Sequence, residues 1–110
     1  MNPRIEYREK ILVGTRDSSL LRFSLGNYYL KAGDPARASE RFREATQRDP
    51  IYSAAWKALG KALAENGNPQ GAREAYEQGI AVASARGDIQ AAREMGVFAK
   101  RLAKAMPRST

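Results

Sequence analysis

Shifted by 34 residues, this sequence lies on top of itself. Leu25-Gly26 recurs as Leu59-Gly60, and Gly33-Asp34-Pro35 recurs as Gly67-Asn68-Pro69. Ala38 returns as Ala72, Glu40 as Glu74, and Phe42 as Tyr76. A fixed period of this length points to stacked units, each burying an apolar face on its neighbour because it cannot do so alone. The repeat therefore predicts a solenoid and directs the functional reading toward binding.

The spacing of caps and stops predicts helices throughout. Asn2-Pro3 is an N-cap with proline at the first helical position, so residues 3–13 form a candidate short leading helix that stops at Gly14. Asp17, Ser18 and Ser19 offer caps for a helix running to about Ala32 and ended by Gly33. Asp34-Pro35 starts the next helix, which must end near Asp49-Pro50 because a residue before proline is pushed out of the helical region. A third helix spans about Ile51 to Asn66, a fourth runs from Asn68-Pro69 to about Ala85, and a last one runs from Ile89 to about Met106. No strand-like alternation occurs.

The helix faces carry a size code. Ala38, Phe42, Ala45 and Thr46 recur at three- and four-residue steps, as do Ala72, Ala75, Tyr76, Gly79 and Ile80. Small residues at Gly26, Ala38, Gly60 and Ala72 let backbones approach, while Phe42, Trp56 and Tyr76 fill the space between.

These residues resemble the tetratricopeptide repeat, whose pattern runs W-x2-L-G-x2-Y, then A-x3-F, then P. One unit supplies Leu25, Gly26, Tyr29, Ala38, Phe42, Ala45 and Pro50, with Arg22 at the tryptophan position. The other supplies Trp56, Leu59, Gly60, Ala72 and Tyr76, with Leu63 at the tyrosine position, Gly79 at the later alanine and Ser84 at the proline. The resemblance implies an all-α, right-handed superhelix of antiparallel helix pairs, an α-solenoid. It divides the chain into a leading segment (1–17), two repeats (about 19–52 and 53–86), a C-terminal capping helix (88–106) and a tail (107–110). Met95-Gly96 resembles the Leu-Gly pair of a third unit, displaced by two residues from the regular period. Its helix has a seam of Ala92, Met95, Ala99, Leu102 and Met106 to lay on the last repeat. Tyr7, Ile11 and Leu12 are the contact residues of the leading helix if it packs as a degenerate half-unit.

In this family the first helix of each pair lines a concave groove that holds a peptide or helix of a partner. Carried over by register, the groove positions fall on Leu20, Phe23, Asn27, Leu30 and Lys31, then on Ala54, Lys57, Lys61, Ala64 and Glu65. Phe23 and Leu30 would offer an apolar patch, and Lys57 with Lys61 a cationic stripe. The same positions read as contacts of the leading helix and as solvated lysines. Of the five residues with which one subfamily clamps the carboxylate of chaperone tails, only Asn27 is matched, so that ligand is rejected.

Composition narrows the chemistry further. The 110 residues contain neither cysteine nor histidine, which removes disulfides, thiolate nucleophiles and the commonest general base. Glutamates and arginines alternate at helix spacings, as in Glu44 to Arg48 and Arg73 to Glu77, which suits ion pairs on a wet face rather than paired catalytic acids. The expectation is a non-enzymatic protein-interaction module with no metal and no cofactor. Net charge is +7, and Arg93, Lys100, Arg101, Lys104 and Arg108 form a basic side of the last helix. Binding of nucleic acid or another polyanion there is the alternative, disfavoured because the charge excess is dispersed over the chain. A self-associating structural role is the third reading, with a monomer or weak homodimer as the expected state. No apolar run approaches the ~20 residues of a membrane span, and the cysteine-free chain is compatible with a cytoplasmic setting.

Overall fold

The computed structural model describes residues 18–105, and these form five helices: α1 (Ser19–Lys31), α2 (Pro35–Arg48), α3 (Ser53–Glu65), α4 (Pro69–Ala85) and α5 (Ile89–Ala105). The candidate leading helix with Tyr7, Ile11 and Leu12, and the positions Met106 and Arg108, lie outside the described residues. Each helix packs on the next in the chain, α1 and α3 touch lightly, and the array measures 47 × 30 × 20 Å. This is the open, one-dimensional stacking expected of a solenoid.

One turn is built three times. At Ala32–Asp34, Asn66–Asn68 and Arg86–Asp88 the chain closes the preceding helix with the same pair of hydrogen bonds. Gly33 and Asp34 donate to Leu30 and Tyr29, Gly67 and Asn68 to Ala64 and Leu63, and Gly87 and Asp88 to Ser84 and Ala83. Such an ending needs a left-handed residue, which Gly33 supplies with φ 80° and Gly67 with φ 75°. The following residue then caps the next helix, as Asp34, Asn68 and Asp88 each accept from a backbone N–H three residues on, at 3.1, 2.9 and 3.1 Å. The third use occurs between α4 and α5 rather than inside a repeat, with Ile89 where the other two place proline.

The α2–α3 connection is different. Asp49-Pro50 ends α2, Tyr52 N–H donates to Asp49 C=O at 3.0 Å, and α3 begins at Ser53, two residues later than the sequence suggests. No side chain caps α3. Instead, two distant residues satisfy the turn's carbonyls. The Trp56 indole N–H donates to Pro50 C=O at 2.8 Å, and the Arg86 guanidinium donates to Ile51 C=O at 2.9 Å. Backbone acceptors in a turn need such partners, and these bind the turn to α3 and to the C-terminal end of α4.

Aromatic rings seated on glycines hold the helix pairs together. A β-carbon added at Gly26 would lie 2.5 Å from the Phe42 ring, and one at Gly60 would lie 2.5 Å from the Tyr76 ring. Phe42, Leu25 and Leu59 are fully buried, with Tyr29, Leu63, Ala38 and Ala72 around them. The buried hydroxyls of Ser39 and Thr46 donate to Ala36 and Arg43 carbonyls of their own helix, so neither is orphaned. Arg22, at the tryptophan position of the first unit, reaches across to Glu44 at 2.7 Å. Gly26→Ala gains helix propensity but overpacks a ring with no room to move. It is expected to destabilise the chain by about 1–3 kcal/mol, read from the midpoint of urea unfolding at constant slope.

Candidate functional site

Successive first helices, α1 and α3, face the same side of the array, and α5 borders that side as well. Between them lies an open cavity of about 680 Å³. From α1 come Phe23, Asn27 and Leu30, and from α3 come Ala54, Lys57, Ala58, Lys61, Ala64 and Glu65. Tyr76 of α4 and Phe98 of α5 close the far wall. Most of these side chains are apolar, so the cavity offers dry surface with a few charges at its rim.

The floor is held by ring packing. Phe23 lies 5.7 Å from the Phe42 ring and 5.0 Å from the Tyr52 ring, and Tyr76 lies 5.6 Å from Phe98. Tilted rings at these separations are in the favourable range for aromatic pairs. Burial pushes the Tyr76 phenol above its usual 10.0, and the nearby Glu65 carboxylate adds to the effect. Tyr52 is raised as well, by burial first and Asp49 second. Both phenols are therefore neutral hydrogen-bonding groups at physiological pH.

Six of the ten groove positions expected from the sequence line this one cavity with polar or large apolar side chains: Phe23, Asn27, Leu30, Lys57, Lys61 and Glu65. Ala54 and Ala64 line it too. Lys31 and Leu20 are exposed and lie outside the cavity lining. The expected stripe of Lys57 with Lys61 requires correction. Lys57 is ion-paired and hydrogen-bonded to Glu94 of α5, which leaves Lys61 as the cavity's one cation with no carboxylate partner among the described residues. The Lys57 hydrogen bond and charge hold the Glu94 carboxyl below its usual 4.5. Tyr76 and Phe98 were missed because the register argument considers only the first helix of each pair and ends with the second unit. The ring that packs on Gly60 could have identified Tyr76.

On α5 the residues proposed for a polyanion patch, Arg93, Lys100, Arg101 and Lys104, are all exposed. Met95 is fully buried against Gly79 and Trp56, and Ala91, Phe98 and Leu102 pack beside it. Ala92, Met95, Ala99 and Leu102 of the expected seam thus all meet the core, joined by Ala91 and Phe98. Among the described residues no cluster of acidic side chains could hold a metal ion, and no helix is long and apolar enough to cross a membrane.

Comparison with known proteins agrees with this architecture. The family model described as tetratricopeptide repeat matches residues 23–94. TPR repeat-containing protein PA0015 of Pseudomonas aeruginosa is 50% identical over 101 residues, covering 92% of this chain and 96% of that protein. The solution structure of protein BPP2914 from Bordetella parapertussis is 43% identical, with a TM-score of 0.78 over 94% of this chain and 90% of the other. A tetratricopeptide repeat domain protein from Salinibacter ruber follows at 25% identity and a TM-score of 0.77, covering 84% of this chain and 94% of its own. A shorter match, 44% over 52 residues, is to the heat-shock protein cognate co-chaperone sgt12 of Aspergillus fumigatus, and covers 47% of this chain and 15% of that protein. With two helix pairs built to one plan and a half-identical relative matched nearly end to end, the chain belongs to the tetratricopeptide repeat family.

Proposed function

We propose that the chain is a non-enzymatic binding module that holds a peptide or helix of a partner protein in the groove lined by α1, α3, Tyr76 and Phe98. The observation that carries this reading is the cavity itself, whose residues come from four helices yet form one apolar surface with Lys61 at its rim. Apolar walls with a few placed polar groups are what a binding site requires. Phe23 and Leu30 supply an anchor pocket for one apolar side chain of the ligand, and Lys61 supplies a partner for its carboxylate. The match to a co-chaperone supports a protein ligand in general. It supports no chaperone tail, because Phe23 and Ala58 stand where the clamp resemblance calls for a lysine and an asparagine.

The test is selection of peptides from a displayed random library on the immobilised chain. Selected peptides should carry an apolar residue near an acidic one. Their affinity should fall by at least about tenfold for Phe23→Glu/Lys61→Glu, with the helical circular-dichroism signal unchanged. Equal binding to that variant would sink the groove reading. A steep salt dependence that follows Lys100→Glu/Arg101→Glu/Lys104→Glu would favour a polyanion instead.

A further inference from the structure

The repeat seats a ring on a glycine twice, and offers the same seat a third time without filling it. Gly26 lies under Phe42, Gly60 lies under Tyr76, and a β-carbon at Gly96 would meet nothing within 4 Å among the described residues. Gly96 follows Met95 as Gly26 follows Leu25 and Gly60 follows Leu59. The positions around it repeat the comparison. Tyr29 and Leu63 are buried beneath α2 and α4, whereas their counterpart Ala99 stays partly exposed. Ile89, Ala92, Gly96, Ala99 and Ala103 recur at three- and four-residue steps and so share one face of α5; Ala92 and Ala99 on its inner edge pack against the core, while Ile89 is 61% exposed and Ala103 is exposed. In both complete units this face is covered by a second helix that carries a small residue and, four positions on, an aromatic ring: Ala38 and Phe42, then Ala72 and Tyr76.

The flank of the face specifies charge. Arg93, Lys100 and Lys104 follow one another beside Gly96 at helix spacing, and all three are exposed. The α1–α2 pair shows how such a cation is answered, since Arg22 of the first helix meets Glu44 of the second at 2.7 Å. Pairing α5 with α5 of a second copy, antiparallel around Gly96, would set Arg93 of each against Lys100 of the other. Like charges at that spacing repel, so the face is poorly suited to itself.

We propose that the outer face of α5 is a docking site for one helix of a partner protein, which seats an aromatic ring on Gly96 and presents acidic residues to Arg93, Lys100 and Lys104. This site is on the end of the array and does not depend on the groove. Docking completes a third helix pair on the plan of the first two, with close backbone approach at Gly96 as its steric requirement.

The probe is a hydrocarbon-stapled helical peptide of the α4 sequence, residues 69–85, carrying Arg73→Glu to make it acidic. Its binding to the full chain is followed by fluorescence anisotropy. Saturable binding at one peptide per chain is expected. Gly96→Leu should weaken it by at least about tenfold while the thermal midpoint stays the same or rises, because a side chain there meets open space in the free chain. Arg93→Glu/Lys100→Glu/Lys104→Glu should weaken it by about tenfold and flatten its salt dependence. Tyr76→Ala within the peptide should abolish it. Three results would overturn the proposal. They are no saturable binding at millimolar peptide, equal affinity for Gly96→Leu, and a dimer in sedimentation that Gly96→Leu dissociates, which would assign the face to a second copy. Binding lost only in Phe23→Glu/Lys61→Glu would place the peptide in the groove and count equally against it.

Discussion

Phe42→Ala is expected to cost about 3–5 kcal/mol of unfolding free energy, the top of the range for truncating one buried side chain. Phe42 is fully buried, it covers Gly26, and it supports Phe23 from below at 5.7 Å. Removing the ring leaves a void beside a backbone that has no side chain with which to fill it. Collapse into the space would require α1 and α2 to move together, so little of the loss is recovered. Domains of this size are stable by roughly 0.05–0.15 kcal/mol per residue, so the variant forfeits about a fifth of the total or more. The check is urea unfolding followed by circular dichroism. A fall in the midpoint with an unchanged slope is the expected result, and a shift worth less than about 1 kcal/mol would show that the ring is not clamped between the two helices. Phe23 should lose its support as well, so groove ligands should bind this variant more weakly even where it remains folded.

Met95→Ala is expected to remove a comparable amount of packing energy, about 2–5 kcal/mol, but in a different place. Met95 is the one fully buried residue of α5 and lies against Gly79 and Trp56. Because α5 is the last described helix and packs chiefly on α4, the loss falls on one end of a one-dimensional array. The helix should detach before the remainder unfolds. Amide hydrogen exchange in α5 should accelerate while α1, α2 and α3 keep most of their protection. Uniform acceleration across all five helices would show that the array unfolds as a single unit. Detachment also removes Phe98 from the groove wall and Glu94 from Lys57, so the variant should bind groove ligands less tightly.

Much of this architecture is written locally. Caps, stops and rings recur at positions that a single sequence compared with itself already reveals, and Gly26 with Phe42 and Gly60 with Tyr76 appear in the structure as size complements. The lining of the cavity was legible for the same reason, since register alone brings Phe23, Asn27 and Leu30 to the side that carries Lys57, Lys61 and Glu65. Register fails where the period does. Met95-Gly96 comes 36 residues after Leu59-Gly60, so the partner of Lys57 could not be found by counting. Glu94 reaches it from 37 residues away, and that contact turns an expected cationic stripe into a neutral pair beside one free lysine. The start of α3 at Ser53 was hidden likewise, because it depends on Trp56 and Arg86 holding the carbonyls of Pro50 and Ile51, contacts that no local propensity encodes.

Packing of each helix on the next also governs how the chain reaches this state. Most contacts join residues close in sequence, and helical proteins of low contact order fold in microseconds to milliseconds. Synthesis at ~5–20 residues per second takes about 2–7 s to add one 34-residue unit. The α1–α2 hairpin therefore has time to close thousands of times before α3 leaves the ribosome, and each later helix arrives at a surface already formed.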